Sequence, residues 1–536
     1  MHKNFTIMKK ALIYLASVAF LLFYTSCKQQ EKAVAEDPVE THLKGSINYQ
    51  SNLPFDSALI VPFFISFPEL EKYQDDVITI YDAHKYNLIW FDNRGIIESG
   101  NSLYSKVTGL EKEGVSSKFP YEDTLAGIFE DDVENNLNQV ETELMLSCLF
   151  LFYAEKVYEG VDDSATKSMG WLLPRKQLTY KSLLDSVLLN PGLLARNDQT
   201  LFRQYYKLRD VLQKYREIEK KGGWNPIDAD PKLKAFKPGD TARAIQQIRE
   251  RLFVAGYLGQ NNASNMYDAE LVNAVKKYQL HNGFKPDSLI SKKHINHMNV
   301  TVGERLKQIM VNMERCRWIS PDISQAKEII VVNIPSYNLN LFRDGKSAFE
   351  CPVVVGAVMT KTVIFSGNMS YIVFSPYWNI PQSIINKDVK PGMARNSNYL
   401  AKHNMEWNNG QVRQKPGKNN SLGLVKFMFP NSHNIYLHDT PSKSLFEKDS
   451  RAFSHGCVRV GKPRDLAITL LKDDPEWTPE RIDKAMNAGK ETYYTLKSKI
   501  PVYIGYFTAW VGENGEINFY EDIYDRDQRL AEIMMD

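Results

Sequence analysis

Cysteine is scarce: the 536 residues contain five, at positions 27, 148, 316, 351 and 457. None stands in CxxC or metal-ligand spacing, which argues against a disulfide scaffold and a structural zinc site. Charge of one sign is also lacking. The chain has 66 basic and 64 acidic residues, a net charge of +2, so it has no concentrated basic field and no nucleic-acid partner is expected. Residues 49–230 offer no acid pair, metal cluster or phosphate-cradling loop, and no cofactor is expected. The apolar run from Ala11 to Phe23 is too short for a membrane span, which takes roughly 20 residues. What is present is ordinary for a globular protein: 43% hydrophobic, 24% charged, and long enough for two to four domains. Tyrosine is plentiful at 28, which suits a polymer-gripping surface, though a Tyr-rich core is the simpler reading.

The start of the chain reads as an address. Lys9 and Lys10 precede the apolar run, and Tyr24-Thr25-Ser26-Cys27 follows it. A basic n-region and an apolar h-region make a secretory signal. Small residues ending in a cysteine resemble a bacterial lipoprotein signal, with Cys27 as the lipidated residue, although Tyr24 stands where Leu is usual. An uncleaved anchor is the alternative. Residues 1–27 are therefore expected to be signal and 28–48 a charged tether. The body would be exported, periplasmic, and membrane-anchored through its N-terminal lipid.

Beyond the tether, residues 49–235 read as a helical scaffold, closed by Gly222-Gly223-Trp224-Asn225-Pro226. Residues 236–300 read as three short helices. Gly239-Asp240, Gly256-Tyr257, Tyr267-Asp268, Tyr278-Gln279 and Asn282-Gly283-Phe284 occur there in an order that resembles the peptidoglycan-binding domain type. Pro286-Asp287-Ser288 and Ser291 depart from that type's usual turn. A linking helix is expected over 301–322. The period then changes to two, with Arg343-Asp344-Gly345-Lys346 as a hairpin signal, so 325–512 is expected to be mainly β. An Asn-rich stretch, 381–429, reads as a lid or a surface excursion, and 513–536 as a C-terminal tail.

Chemistry concentrates in Ser454-His455-Gly456-Cys457-Val458-Arg459 and in the upstream His438-Asp439. A thiol needs a base nearby to attack near neutral pH. His438 or His455 could serve, and Asp439 could orient His438. Gly456 permits a sharp turn whose N–H groups could hold an oxyanion. Arg459 suits a substrate carboxylate. A cysteine acyl-transfer enzyme acting on an amide beside an anionic group is the reading that results. Cys148 and Cys316 lie in apolar or helical settings and are expected to be structural. A zinc site built from Cys457 and the two histidines lacks a fourth ligand.

His438, the gap, and Ser454 to Arg459 resemble the signature of the L,D-transpeptidase (YkuD-like) catalytic domain. So do Asn333-Ile334-Pro335 with Tyr337, Pro376 to Pro381, Arg413 to Gly417, Leu422-Gly423, and Tyr506 with Thr508-Ala509-Trp510. The resemblance implies a multidomain α+β architecture: a helical scaffold, a small three-helix peptidoglycan-binding-like domain, and a mainly-β catalytic domain with a capping insertion. It implies Cys457 as nucleophile, His438 as base, and Asp439 orienting that base through its carbonyl. His455, Gly456 and Cys457 would donate to the oxyanion, and Arg459, Tyr436, Arg413 and Ser454 would meet the substrate. The implied partners are peptidoglycan stem peptides and glycan, and the implied reaction is 3→3 cross-linking. An L,D-carboxypeptidase or endopeptidase on the same fold, a transferase attaching a protein to the wall, and an inactive cell-wall-binding protein are the alternatives.

Overall fold

A computed structural model describes residues 53–535, apart from 131–133, 177–178, 191, 193–200, 322 and 324–325. The expected signal, Cys27 and the tether lie outside the described residues. In the N-terminal part the central helix is α1 (Gln139–Tyr153), and every residue from Thr142 to Tyr153 is buried. A helix apolar all round must lie inside, and the other scaffold helices surround it. Asn138 starts it with a capping box closed by Glu141. Helix α2 (Arg203–Lys220) ends this part, with Leu208, Val211, Leu212 and Tyr215 on its buried face.

The next unit holds α3 (Arg243–Val254), α4 (Ala269–His281) and α5 (Lys292–Met298). It has its own core, including Ile245, Ile248, Leu252, Leu271 and Ile290. Asp268 caps α4 and also pairs at 2.6 Å with Arg249, whose side chain is fully buried. Helix α6 (Val302–Trp318), capped by Thr301 with Glu304, then runs against α2 and leads into the β domain.

The β domain is a ring. Its strands are β2 (Glu328–Asn333), β3 (Asn338–Arg343), β4 (Lys346–Gly356), β5 (Ile364–Phe374), β9 (Val425–Met428), β10 (Leu437–His438), β12 (Val458–Val460) and β13 (Thr492–Gly505). The intervening β6 (Trp378–Asn379), β7 (Met405–Asn408) and β8 (Gln411–Gln414) belong to the insertion, and β11 (Ala452–Ser454) pairs off the ring with β4. The order β9-β10-β12-β4-β3-β2-β13-β5 returns to β9, because Val425 to Met428 also pair with β5. Closure removes the exposed edges of an open sheet. The β3–β4 hairpin turns at Asp344-Gly345, both with positive φ, as the Asp-Gly pair demands. One scaffold strand, β1 (Trp171–Leu172), adds in parallel to β5.

Two boundaries differ from expectation. The insertion is a separate three-stranded sheet of β6 (Trp378–Asn379), β8 (Gln411–Gln414) and β7 (Met405–Asn408) over Ile380, Ile385, Val389 and Val412. The end of the expected cap, Val425 to Met428, instead belongs to the ring. Val425 and Phe427 alternate inward there, as a half-buried strand requires. The expected tail is also packed structure. Strand Ala509–Val511 pairs with Ile517–Phe519, and α7 (Asp527–Met535) buries Leu530 and Ala531.

Candidate active site

The site forms where β10 and β12 run parallel. Leu437 faces Val458 and His438 faces Arg459, and the Val458 amide donates to the Tyr436 carbonyl at 3.2 Å. This pairing brings the Cys457 turn to the Tyr436–His438 segment. His438 is buried, and its Nδ1 donates to the Asp439 carbonyl at 2.5 Å. A carbonyl can only accept, so the proton sits on Nδ1 and Nε2 is left as the basic nitrogen. Burial pulls the imidazole down to about 4, with Arg459 and Lys426 adding to the effect and the Asp439 carbonyl opposing it.

Asp439 uses its carboxylate elsewhere. One oxygen accepts from the Leu424 amide at 2.8 Å, and the other accepts from Thr440 N at 2.7 Å and Lys443 Nζ at 2.5 Å. Gly423 makes the room: a Cβ there would stand 2.3 Å from the Asp439 carboxyl carbon. The carboxylate therefore fixes the backbone whose carbonyl holds His438.

Cys457 is half-buried and its thiol donates to the Asn434 carbonyl at 3.7 Å. Burial raises its pKa, while the amide and hydroxyl of Tyr436 and the charge of Arg459 oppose the rise. The Tyr436 ring lies edge-on to His438 at 5.7 Å. Arg459 has a buried Nε without a hydrogen-bond partner, and the nearby sulfur offsets part of its desolvation. The other described cysteines are buried, and burial pushes Cys351 up to about 11.

The turn itself is braced from several sides. Ser454 Oγ donates to the Cys457 carbonyl at 2.6 Å and accepts from the Gly456 amide at 3.1 Å. These two groups were expected to face substrate; instead they close the turn, in which Gly456 at φ +111 lets the chain reverse and bring the Cys457 carbonyl back to Ser454. The amides of His455 and Cys457 have no hydrogen-bond partner among the described residues, and the His455 ring is exposed. Thr360 donates to the Ser454 carbonyl at 2.8 Å and Thr362 to the Gly456 carbonyl at 2.9 Å. Tyr524, from the expected tail, donates to the Gly356 carbonyl at 2.6 Å and accepts from the Thr362 amide at 3.2 Å. Arg413 lies apart, on the cap sheet. It pairs with Glu406 at 2.7 Å and covers the Tyr377 ring at 3.8 Å, which leaves its charge compensated.

The residues that local patterning missed are Asn434, Lys443, Thr360, Thr362 and Tyr524. Asn434, Thr360, Thr362 and Tyr524 act through a long-range contact or a backbone carbonyl, neither of which leaves a periodic trace, and Lys443 pairs with the Asp439 carboxylate across a short turn. Among the described residues, no group of three or more His, Cys, Asp or Glu could hold a metal, and no helix is long and apolar enough to cross a membrane.

A helical scaffold continued into a closed β domain, with a cysteine turn set beside a buried histidine, defines a multidomain protein with its chemistry at the C-terminal end. Residues 327–482 match the family model of the L,D-transpeptidase catalytic domain, and residues 75–212 match that of a scaffold domain. The chain thus carries an L,D-transpeptidase catalytic domain joined to a scaffold domain. It is 38% identical over 253 residues to a Haemophilus influenzae protein named provisionally as an L,D-transpeptidase. That match spans 43% of this chain and 50% of the relative, so the chain spans about half the relative's length. Among solved structures, an L,D-transpeptidase of Stackebrandtia nassauensis is 15% identical, with 52% of this chain and 96% of that one covered and a TM-score of 0.21. One from Xylanimonas cellulosilytica is 12% identical, with 52% and 100% covered and a TM-score of 0.18. The assignment rests on the two domain matches and the curated relative.

Proposed function

We propose that the chain is a peptidoglycan L,D-transpeptidase that forms 3→3 cross-links through a thioester on Cys457. The observation that carries this is the His438 tautomer. With Nδ1–H given to the Asp439 carbonyl, Nε2 is the nitrogen that accepts a proton, on the strand beside the Cys457 turn. A raised thiol and a lowered imidazole make the resting pair neutral. The thiol proton then passes to His438 as sulfur attacks the carbonyl of the third, diamino residue of a tetrapeptide stem. The carbonyl oxygen becomes an anion, and the free amides of His455 and Cys457 suit it as donors. The C–N bond breaks, D-Ala leaves with the proton from His438, and a thioester remains. An amine of a neighbouring stem attacks the thioester, His438 takes its proton, and the sulfur departs and recovers a proton.

Arg459 is assigned to a substrate carboxylate, because its guanidinium is partly desolvated beside the sulfur and its buried Nε has no partner. Tyr436 is assigned to the sulfur and the scissile group. The cap sheet is assigned to cover the cleft, with Arg413 acting through its Glu406 pair. Cys27 is assigned as the lipid attachment of an exported, periplasmic protein. Incubation with a disaccharide-tetrapeptide, read by mass spectrometry, tests the reaction. Cross-linked dimers are expected; tripeptides alone would instead make the enzyme a carboxypeptidase. Cys457→Ala is expected to abolish both products while the fold is retained by circular dichroism, and residual turnover would remove Cys457 from the nucleophile role. A carbapenem adduct on Cys457, seen by intact mass, is the corresponding single-turnover check.

A further inference from the structure

The Asn434 carbonyl that accepts from the Cys457 thiol lies in the loop joining β9 to β10. Among the described residues, no amide from 431 to 435 donates to a backbone carbonyl. One side chain stands in for that missing pairing. Asn431 Nδ2 donates to the Phe429 carbonyl at 2.6 Å and to the Ile435 carbonyl at 2.8 Å, and its Oδ1 accepts from the His433 and Ile435 amides at 3.0 and 3.2 Å. Both N–H bonds and both lone pairs of the side-chain amide are thus engaged, all within its own loop. Phe429 and Ile435, both buried, pin the ends of the loop independently of it.

The two bonds to Ile435 are the ones that bear on the sulfur. A trans peptide is planar, and its C=O and N–H point to opposite sides. All peptides among the described residues are trans. With the Ile435 amide turned to Asn431, the Asn434 carbonyl in the same plane is turned the other way, toward the thiol. With the Ile435 carbonyl turned to Asn431, the Tyr436 amide in the next plane also points away from it, to the side where it meets the sulfur and favours its charged form. One plane therefore offers the sulfur an acceptor while it holds its proton. The next offers a donor once the proton has gone. Asn434 reaches this arrangement at φ +53, a left-handed conformation that asparagine tolerates better than most residues.

We propose that Asn431 is a positioning residue for the nucleophile: by clamping the peptide planes on either side of Ile435 it aims the Asn434 carbonyl and the Tyr436 amide at Cys457, so that the sulfur keeps one place as thiol and as thiolate. This rests on the reading of Cys457 as nucleophile. The full chain is compared with Asn431→Ala and Asn431→Asp. Alanine removes both clamps. Aspartate keeps the volume and an acceptor for the Ile435 amide but, ionised, has no proton for the Ile435 carbonyl, so it frees the Tyr436 amide alone. A hydrogen bond to a charged group is roughly twice as strong as a neutral one, so the donor lost to the thiolate outweighs the acceptor lost to the thiol. Alkylation of Cys457 by iodoacetamide at pH 8 should therefore slow about three- to tenfold in both variants, with the pH profile moved upward. Carbapenem acylation should slow by a similar factor. In Asn431→Ala the ratio of turnover at pH 5.5 to that at pH 7 should not change, because His438 is untouched; a general distortion of the site would move that ratio as well. Unchanged alkylation in either folded variant, a profile moved downward, or a shifted ratio in Asn431→Ala would overturn the proposal. Loss of the folded circular dichroism signal in both variants would overturn it too, by making Asn431 a residue of the fold. The two readings can fail separately. No carbapenem adduct on the unsubstituted chain, with the alkylation shift intact, would remove the nucleophile reading and leave the placing of the sulfur. Adducts formed at equal rates in all three chains would remove only the role of Asn431.

Discussion

His438 carries a pH dependence whose sign follows from its burial. Its folded pKa of about 4 lies below the ordinary 6.5. As pH falls from 6.5 toward 4, the unfolded chain takes up a proton that the folded chain refuses, so stability is lost across that window. The loss amounts to about 3 kcal/mol at most, at 1.36 kcal/mol per unit. Denaturant titrations between pH 7 and pH 4 should show this slope, and His438→Gln should flatten it. The same shift moves the acid limb of kcat/KM. A base that protonates only near pH 4 should keep turnover high at pH 5.5, whereas an acid limb at 6.5 would mean that His438 is not the proton acceptor. At Cys457 the thiol lies above its ordinary 9.0. Its alkylation by iodoacetamide should therefore still be rising with pH beyond 9. A plateau near pH 7 would mean that a thiolate–imidazolium pair already exists at rest.

Among the elements, the loop before β9 and the C-terminal segment matter most to the turn. Gly423 sits at φ +63 with the Asp439 carboxyl group in the place of a side chain. Gly423→Ala would force that carboxyl away from Leu424 and strain the backbone, a loss of about 1–3 kcal/mol. Activity should fall with it, because the Asp439 backbone orients His438; a stable, fully active variant would separate the two. Tyr524→Phe strains no backbone. It leaves the Gly356 carbonyl and the Thr362 amide without their partner beside the turn, worth about 1–3 kcal/mol, and it should lower kcat more than it raises KM. The cysteine turn and the histidine were legible in the sequence because they are contiguous patterns. So were the hairpin at Asp344-Gly345 and the three helices between 236 and 300, where turn residues punctuate short periodic runs. The ring closure was not legible. Val425 to Met428 pair with β5, and Lys426 and Phe427 pair also with β10, and pairing on two sides leaves no mark on four residues. Tyr524 was missed for a related reason: one hydroxyl reaching a carbonyl 168 positions away has no local signature.

At the scale of the molecule, the packing does not follow the order of segments along the chain. One continuous core runs from Ile60 through α1, α2 and α6 into the ring and on to Ala531. The buried polar groups at its centre tie the parts further: Arg317 of α6 pairs with Glu314 at 2.7 Å and donates to the Glu113 carbonyl of the scaffold at 2.7 Å. Breaking one partner of a buried pair costs about 3–5 kcal/mol, so scaffold and ring should not come apart before either unfolds. Residues 236–300 pack on a core of their own, and mainly polar contacts join them to the rest. Calorimetry should therefore resolve two transitions, a large one for scaffold plus ring and a small one for the three-helix unit. Leu271→Ala, which empties a fully buried position in the small core, should lose about 2–5 kcal/mol and lower only the minor transition. Leu208→Ala, on the buried face of α2, should lower only the major one. A single transition moved by both substitutions would mean that the junction couples the two cores.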